Sequence, residues 1–129
     1  MIRQFEELAV WKKARELTRL IYHVTGDFRQ DPYLKNQMRA AAVSLMSNIA
    51  EGFNRNSDRE FVRFLFIAKS SAAEIQSQCY VALDQKYLPQ IGFDRLYEVL
   101  DHESRMISNL IKHLRKSTLD GTFTTSKRQ

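Results

Sequence analysis

The stretch that decides the fold is residues 57–86, SDREFVRFLFIAKSSAAEIQSQCYVALDQK. Its apolar seam repeats at alternating steps of four and three: Phe61, Leu65, Ala68, Ala72, Ile75, Cys79 and Ala82. Residues at this spacing share one face of an α-helix. Ser57 and Glu60 fit a capping box, in which the hydroxyl and the carboxylate satisfy each other's backbone donors at a helix start. The stretch therefore predicts one long helix over residues 58–86 with one buried face.

Three more segments show the same periodicity, at about residues 10–26, 33–53 and 93–116. Asp31–Pro32 marks the turn before the second segment, and Gly52 predicts its end. The fourth segment carries a single charge on its apolar seam, Glu103. Because the predicted loops are short, the segments favour an all-α, antiparallel up-down-up-down four-helix bundle. The bundle is expected over residues 1–116, and residues 117–129 are expected to form a polar, disordered C-terminal tail.

The composition excludes several classes of protein. The 129 residues fit one domain, and four Gly and two Pro are too few for the turns of an all-β chain. The longest apolar run, residues 64–68, is too short to span a bilayer, and Met1 is followed by charged residues rather than a signal sequence. These features predict a cytoplasmic protein with no membrane partner. Cys79 falls at an apolar helical position and is expected to be a small buried hydrophobe.

No residue pattern indicates catalysis. A di-metal bundle needs paired Glu-x-x-His motifs, and the chain has none. Small helical nucleases can use an Arg and a His separated by four to six residues, but the spacings here differ. The nearest match to the metal motif is Glu98 with His102, and the nearest Arg–His pairs are Arg19 with His23 and Arg105 with His113. We therefore predict a non-enzymatic protein with no metal, no cofactor and no small-molecule substrate.

The second segment carries a polar stripe beside its apolar one, from Gln37 to Arg55. Small and amide side chains predominate there, whereas a solvated face usually favours Lys and Glu. Two interpretations stay open: a subunit interface, or a hydrogen-bonded polar network inside the bundle. The candidate residues for either role are Trp11, Gln37, Arg39, Ser44, Asn48, Glu51, Arg55 and Glu74.

Several stretches together resemble a known family. They are FEELAVWKKA at residues 5–14, QMRAAAVS at 37–44, SNIAEG at 47–52 with Arg55, and residues 61–68 with Glu74. They are similar to the bacterial four-helix bundle proteins named for intervening sequences of 23S ribosomal RNA. The resemblance implies a left-handed bundle that assembles as a ring, typically a homopentamer. In distant relatives of similar architecture, a basic ring surface contacts nucleic acid.

The net charge of +5 and the isoelectric point near 9.5 permit attraction to nucleic acid. Together with the resemblance, they favour an oligomeric scaffold that binds RNA or a partner protein. The candidate nucleic-acid contacts are Lys12, Lys13, Lys112, Arg115 and Lys116. The alternative is a structural or protein-interaction module with no nucleic-acid role, and a small helical nuclease is the third hypothesis.

Overall fold

A computed structural model describes the backbone of residues 1–120 and the side chains of residues 1–117. Within that range the chain forms four α-helices and no strand, after a 3-10 turn at Phe5–Glu7. The helices are α1 (Ala9–Thr25), α2 (Pro32–Phe53), α3 (Asp58–Asp84) and α4 (Gln90–Asp120). The prediction of an all-α chain with four helices is confirmed. Because α4 extends to Asp120, the predicted tail starts with four helical residues, and residues 121–129 lie outside the described range.

Side-chain caps fix the starts of the two central helices. At α2, Asp31 accepts a hydrogen bond from the Leu34 amide at 3.0 Å, and Pro32 occupies the first helical position. At α3, the Ser57 hydroxyl accepts one from the Glu60 amide at 3.2 Å. The Glu60 carboxylate pairs with Arg63 instead of returning to Ser57, so only the hydroxyl half of the predicted capping box forms.

Contacts between consecutive helices run in opposite chain directions, as in an up-down bundle. Between α2 and α3, the Ser71 hydroxyl bonds the Ser44 hydroxyl at 3.1 Å, and the rings of Phe53 and Phe61 lie 5.9 Å apart. Tyr80 contacts Phe93 at the start of α4, whereas Phe66 contacts Arg115 near its end. Between α1 and α2, Thr18 bonds the Ala42 carbonyl oxygen and Arg39 bonds Thr25. The start of α1 and the end of α4 therefore lie at the same end of the bundle as residues 53–63.

The apolar seams predicted from the sequence form the core. All seven seam residues of α3 are buried, and Cys79 has no exposed surface. Burial raises the pKa of the Cys79 thiol to about 12, so it stays protonated and packs as a small apolar group. None of the helical segments described is both long and apolar enough to cross a membrane.

Gly52 does not end the second helix, because α2 continues through Phe53. Its role is to let α2 approach α3 closely: a Cβ at this position would lie 2.5 Å from Cβ of Phe64 and 3.1 Å from the Phe61 ring. Atoms that close must move apart, and both neighbours are held in or beside the core. The glycine is therefore required by the packing of two helices rather than by a turn.

Candidate nucleic-acid interface

Positive charge is concentrated at one end of the bundle. The interhelical contacts define a basic half, residues 1–17, 43–71 and 104–117, and an acidic half, residues 18–42 and 72–103. The basic half has 12 Lys and Arg against six Asp and Glu, whereas the acidic half has six against eight. The residues of α4 from 104 to 117 include four cations and no acid. Those cations are Arg105, Lys112, Arg115 and Lys116.

An open cleft between α3 and α4 lies in the basic half. It has a volume of about 240 Å³ and is lined by Phe66, Ser108, Ile111, Lys112 and Arg115. The Phe66 side chain is 44% exposed, and the Arg115 guanidinium carbon lies 5.0 Å from its ring centroid. This distance is that of a cation–π contact. Two of the predicted nucleic-acid residues, Lys112 and Arg115, are thus brought together beside an exposed aromatic ring.

These two cations, and Lys116 beside them, make no ion pair with any side chain of residues 1–117. Arg105, two turns before Lys112 on α4, differs because it pairs with Asp101. Unpaired cations in one cluster keep their full attraction for an external anion, and phosphate groups are such anions. Among the side chains that the structure describes, those of residues 104–117 of α4 therefore offer phosphate-binding charge without a competing carboxylate, and the next acid of the helix is Asp120.

A second arginine–phenylalanine cluster, at Phe64, is closed rather than open. Arg55 and Arg63 stack on its ring with guanidinium carbons 4.7 and 4.6 Å from the centroid. Each arginine is also paired, Arg55 with Glu51 and Arg63 with Glu60, and Phe64 itself is buried. This cluster joins α2 to α3, and its two positive charges are already paired with glutamates of the same chain.

The predicted contacts Lys12 and Lys13 lie elsewhere, on α1. Lys12 is exposed and lines a separate cleft with Trp11, Arg15 and other α1 residues. Lys13 is half-buried and forms a 3.7 Å salt bridge with Glu16. The five predicted contacts therefore share one end of the bundle but form two groups, of which only the α4 group has no acidic neighbour among the described side chains.

The predicted polar stripe of α2 follows the groove between α2 and α3. Asn48 donates to the carbonyl and hydroxyl oxygens of Ser44, which in turn accepts from Ser71, so these three residues form a small network inside the bundle. Gln37 is exposed, and the exposed Glu51 pairs with Arg55. The stripe thus combines a half-buried middle with exposed ends.

The other candidates of that set are local structural contacts. Arg39 lies on the α1 side of α2, where it donates to Thr25 Oγ1 at 2.9 Å and stacks on Tyr22. Trp11 packs its half-buried ring edge-on against Phe5 with centroids 5.1 Å apart. Glu74 is exposed and accepts from Gln78 at 3.3 Å. The eight residues therefore do not form one continuous network.

Glu103 is the only carboxylic acid in the core among the residues described. It has no exposed surface, and neither carboxyl oxygen has a hydrogen-bond partner within the described chain. Burial raises its pKa to about 8, and the nearby charge of Lys13 on α1 opposes that rise only in part. At neutral pH the folded chain therefore holds Glu103 in its uncharged form.

The sequence alone did not single out Phe66 as a functional residue. One signal was available: Phe66 falls outside the apolar seam of α3 and outside the second line through Phe64 and Ser71. A large aromatic off both lines is expected to be exposed. Its cationic partners come from α4, so their proximity to Phe66 depended on the tertiary structure.

Three comparisons with known proteins bear on this chain. The model of a family described as "23S rRNA-intervening sequence protein" matches residues 6–109. Among solved structures, the chain is similar to a protein of unknown function of the S23 ribosomal protein family from Bacteroides thetaiotaomicron VPI-5482. The two share 19% identity with a TM-score of 0.75, over 81% of this chain and 99% of the other. This similarity supports the fold alone. No curated protein matches the chain.

Proposed function

This chain belongs to the 23S rRNA-intervening sequence protein family, and from that premise we propose that it is a non-enzymatic, oligomeric scaffold that binds RNA through its basic half. The observation that carries the proposal is the uneven charge of the bundle, with 12 cations and six acids in one half. Phosphate neutralisation by Lys and Arg supplies most of the affinity in non-specific RNA binding. The cluster at the end of α4 is the best-placed part of that surface.

Assembly would strengthen such an interaction. We propose a homopentamer, the ring that the family resemblance implies, with the basic ends of its subunits at a common rim. Several copies of one weak site on a rim raise the effective affinity for a long polyanion through multivalency. Exposed apolar side chains on α2 and α3 support self-association, since Val43 is 43% exposed, Ile67 39% and Val81 45%.

RNA binding is tested by charge reversal at the two ends of the bundle. The double substitution Lys112→Glu with Arg115→Glu should weaken binding to a generic RNA more than tenfold at about 100 mM salt, because two phosphate contacts become repulsive. It should also make the dependence of affinity on salt concentration less steep. The matched control is Arg29→Glu with Arg95→Glu, which changes the net charge equally in the acidic half.

If the two double variants lose RNA affinity equally, only the total charge matters and the basic half is not a binding surface. Absence of wild-type binding at low salt would reject the RNA scaffold. It would leave the protein-interaction module as the remaining hypothesis.

Assembly is tested at Val43 rather than at Ser44. Ser44 is half-buried between α2 and α3, so a large residue there would disturb the bundle itself. Val43→Arg should convert the oligomer to a smaller species in light scattering while the helical circular dichroism stays unchanged, because the side chain points outward. An unchanged particle mass would place the subunit interface on another face.

A further inference from the structure

The cleft beside Phe66 carries an inference that rests on the proposed function and makes it more specific. We propose that this cleft is a stacking site for an unpaired nucleotide, with the base on the Phe66 ring and the adjoining phosphates on Lys112 and Arg115. The ligand class is therefore single-stranded RNA, or the unpaired part of a structured RNA, rather than a duplex.

The first step of the argument is the exposure of the ring. Phenylalanine side chains in a bundle are normally buried, as Phe61 and Phe53 are here with at most 1% of their surface exposed. Phe66 keeps 44% of its surface exposed, although it lies more than two turns inside α3. An exposed aromatic ring that lines an open cleft can stack against another planar group.

The second step is the contrast between two arginine–phenylalanine contacts whose rings are only two residues apart on α3. At Phe64 the ring is buried and both arginines are neutralised by glutamates. At Phe66 the ring is open, and Arg115 has no acidic partner within the described chain. The first contact is explained by packing, whereas the second combines a ring that is 44% exposed with an arginine that has no acidic partner among the described side chains.

The third step is the chemistry of the occupant. A planar apolar group with an attached anion matches an exposed ring flanked by two cations, and a nucleotide has that combination. In a duplex the base faces are stacked on one another, so only unpaired bases can reach Phe66. Ser108, also in the lining, adds a hydroxyl that can donate to or accept from a base edge or a phosphate.

The test compares a single-stranded RNA of about 12 nucleotides with the duplex of the same sequence, by fluorescence anisotropy at about 100 mM salt. Phe66→Leu keeps an apolar side chain and removes the ring face. It should weaken binding of the single strand by about 5- to 100-fold and of the duplex by less than about twofold. Phe66→Tyr keeps the ring and should bind as the wild type does.

Tyr33→Leu is the matched control, since Tyr33 is a 75% exposed aromatic in the acidic half. It should leave both affinities unchanged. Circular dichroism and light scattering should show that all variants keep the helical content and mass of the wild type.

Failure of the proposed stacking site and failure of the proposed RNA scaffold give different results. If Phe66→Leu binds the single strand as tightly as the wild type does, while Lys112→Glu with Arg115→Glu still weakens binding, the stacking site is rejected and the RNA scaffold is retained. If the wild type binds neither RNA, both proposals fail. If a polyglutamate peptide binds as tightly as the single strand and loses as much affinity with Phe66→Leu, the cleft is a site for acidic peptides and the nucleotide assignment is overturned.

Discussion

Replacing Glu103 by glutamine should remove much of the pH dependence of this protein's stability in the neutral and alkaline range. The carboxyl has no exposed surface and its oxygens have no partner within the described chain, so the fold disfavours its ionised form. Glutamine has nearly the same shape and cannot ionise. The variant therefore changes the charge that can form in the core and little else.

The magnitude follows from the pKa of Glu103, which burial raises from 4.5 to about 8 in the folded chain. The unfolded chain releases its proton near pH 4.5, whereas the folded chain retains it until about pH 8. The contribution of this group to stability is thus complete below about pH 4.5 and is lost as the pH rises to about 8. At about 1.4 kcal/mol for each pH unit in that window, the wild type loses about 4 kcal/mol between pH 5 and pH 9.

The assay is urea unfolding, followed by helical circular dichroism at a fixed protein concentration, at several pH values between about 5 and 9. The difference in unfolding free energy between the wild type and Glu103→Gln cancels the other titrating groups. That difference should shift by about 4 kcal/mol in favour of the variant across the range. Glu98→Gln, at an exposed position of the same helix, should show no such shift. Parallel pH profiles for the wild type and Glu103→Gln would refute the reasoning.

Two further substitutions test the packing of α2. Gly52→Ala should lower the unfolding free energy by about 1–3 kcal/mol, because its Cβ would lie 2.5 Å from Cβ of Phe64. Gly26→Ala, at an exposed helix end, should change it by less than about 1 kcal/mol, and equal effects of the two would contradict the close approach of α2 and α3. Arg39→Met should lower it by about 1–3 kcal/mol, since the side chain loses its hydrogen bond to Thr25. Wild-type stability of Arg39→Met in urea would mean that this contact contributes nothing.

The helices could be predicted from the sequence because their signals are local. A 3.6-residue repeat needs only the order of side chains along one segment, and the cap at Ser57 involves residues three positions apart. The burial of Cys79 followed from the same repeat. The end of α2 was harder: Gly52 looks like a stop signal, yet it serves a contact with a residue 12 positions later.

The candidate site could be predicted only in part. Lys112 and Arg115 lie one turn apart on one helix, and the sequence identified them as a cluster. Lys12 could not be separated from them, because nothing in the sequence states which faces of α1 and α4 meet. Phe66 was not identified, since its proximity to the cations of α4 depends on where α4 lies against α3.

The sequence by itself determined that this chain forms four amphipathic helices, one of which carries a buried acid, and that it has an excess of positive charge. These properties depend on residue type and on spacing within a segment. Only the tertiary structure decided that the cations gather at one end of the bundle and that Phe64 is buried whereas Phe66 is exposed. It also decided that Glu103 has no hydrogen-bond partner within the described chain. Each of those depends on distances between side chains far apart in the chain, which are set by the rotation and register of packed helices.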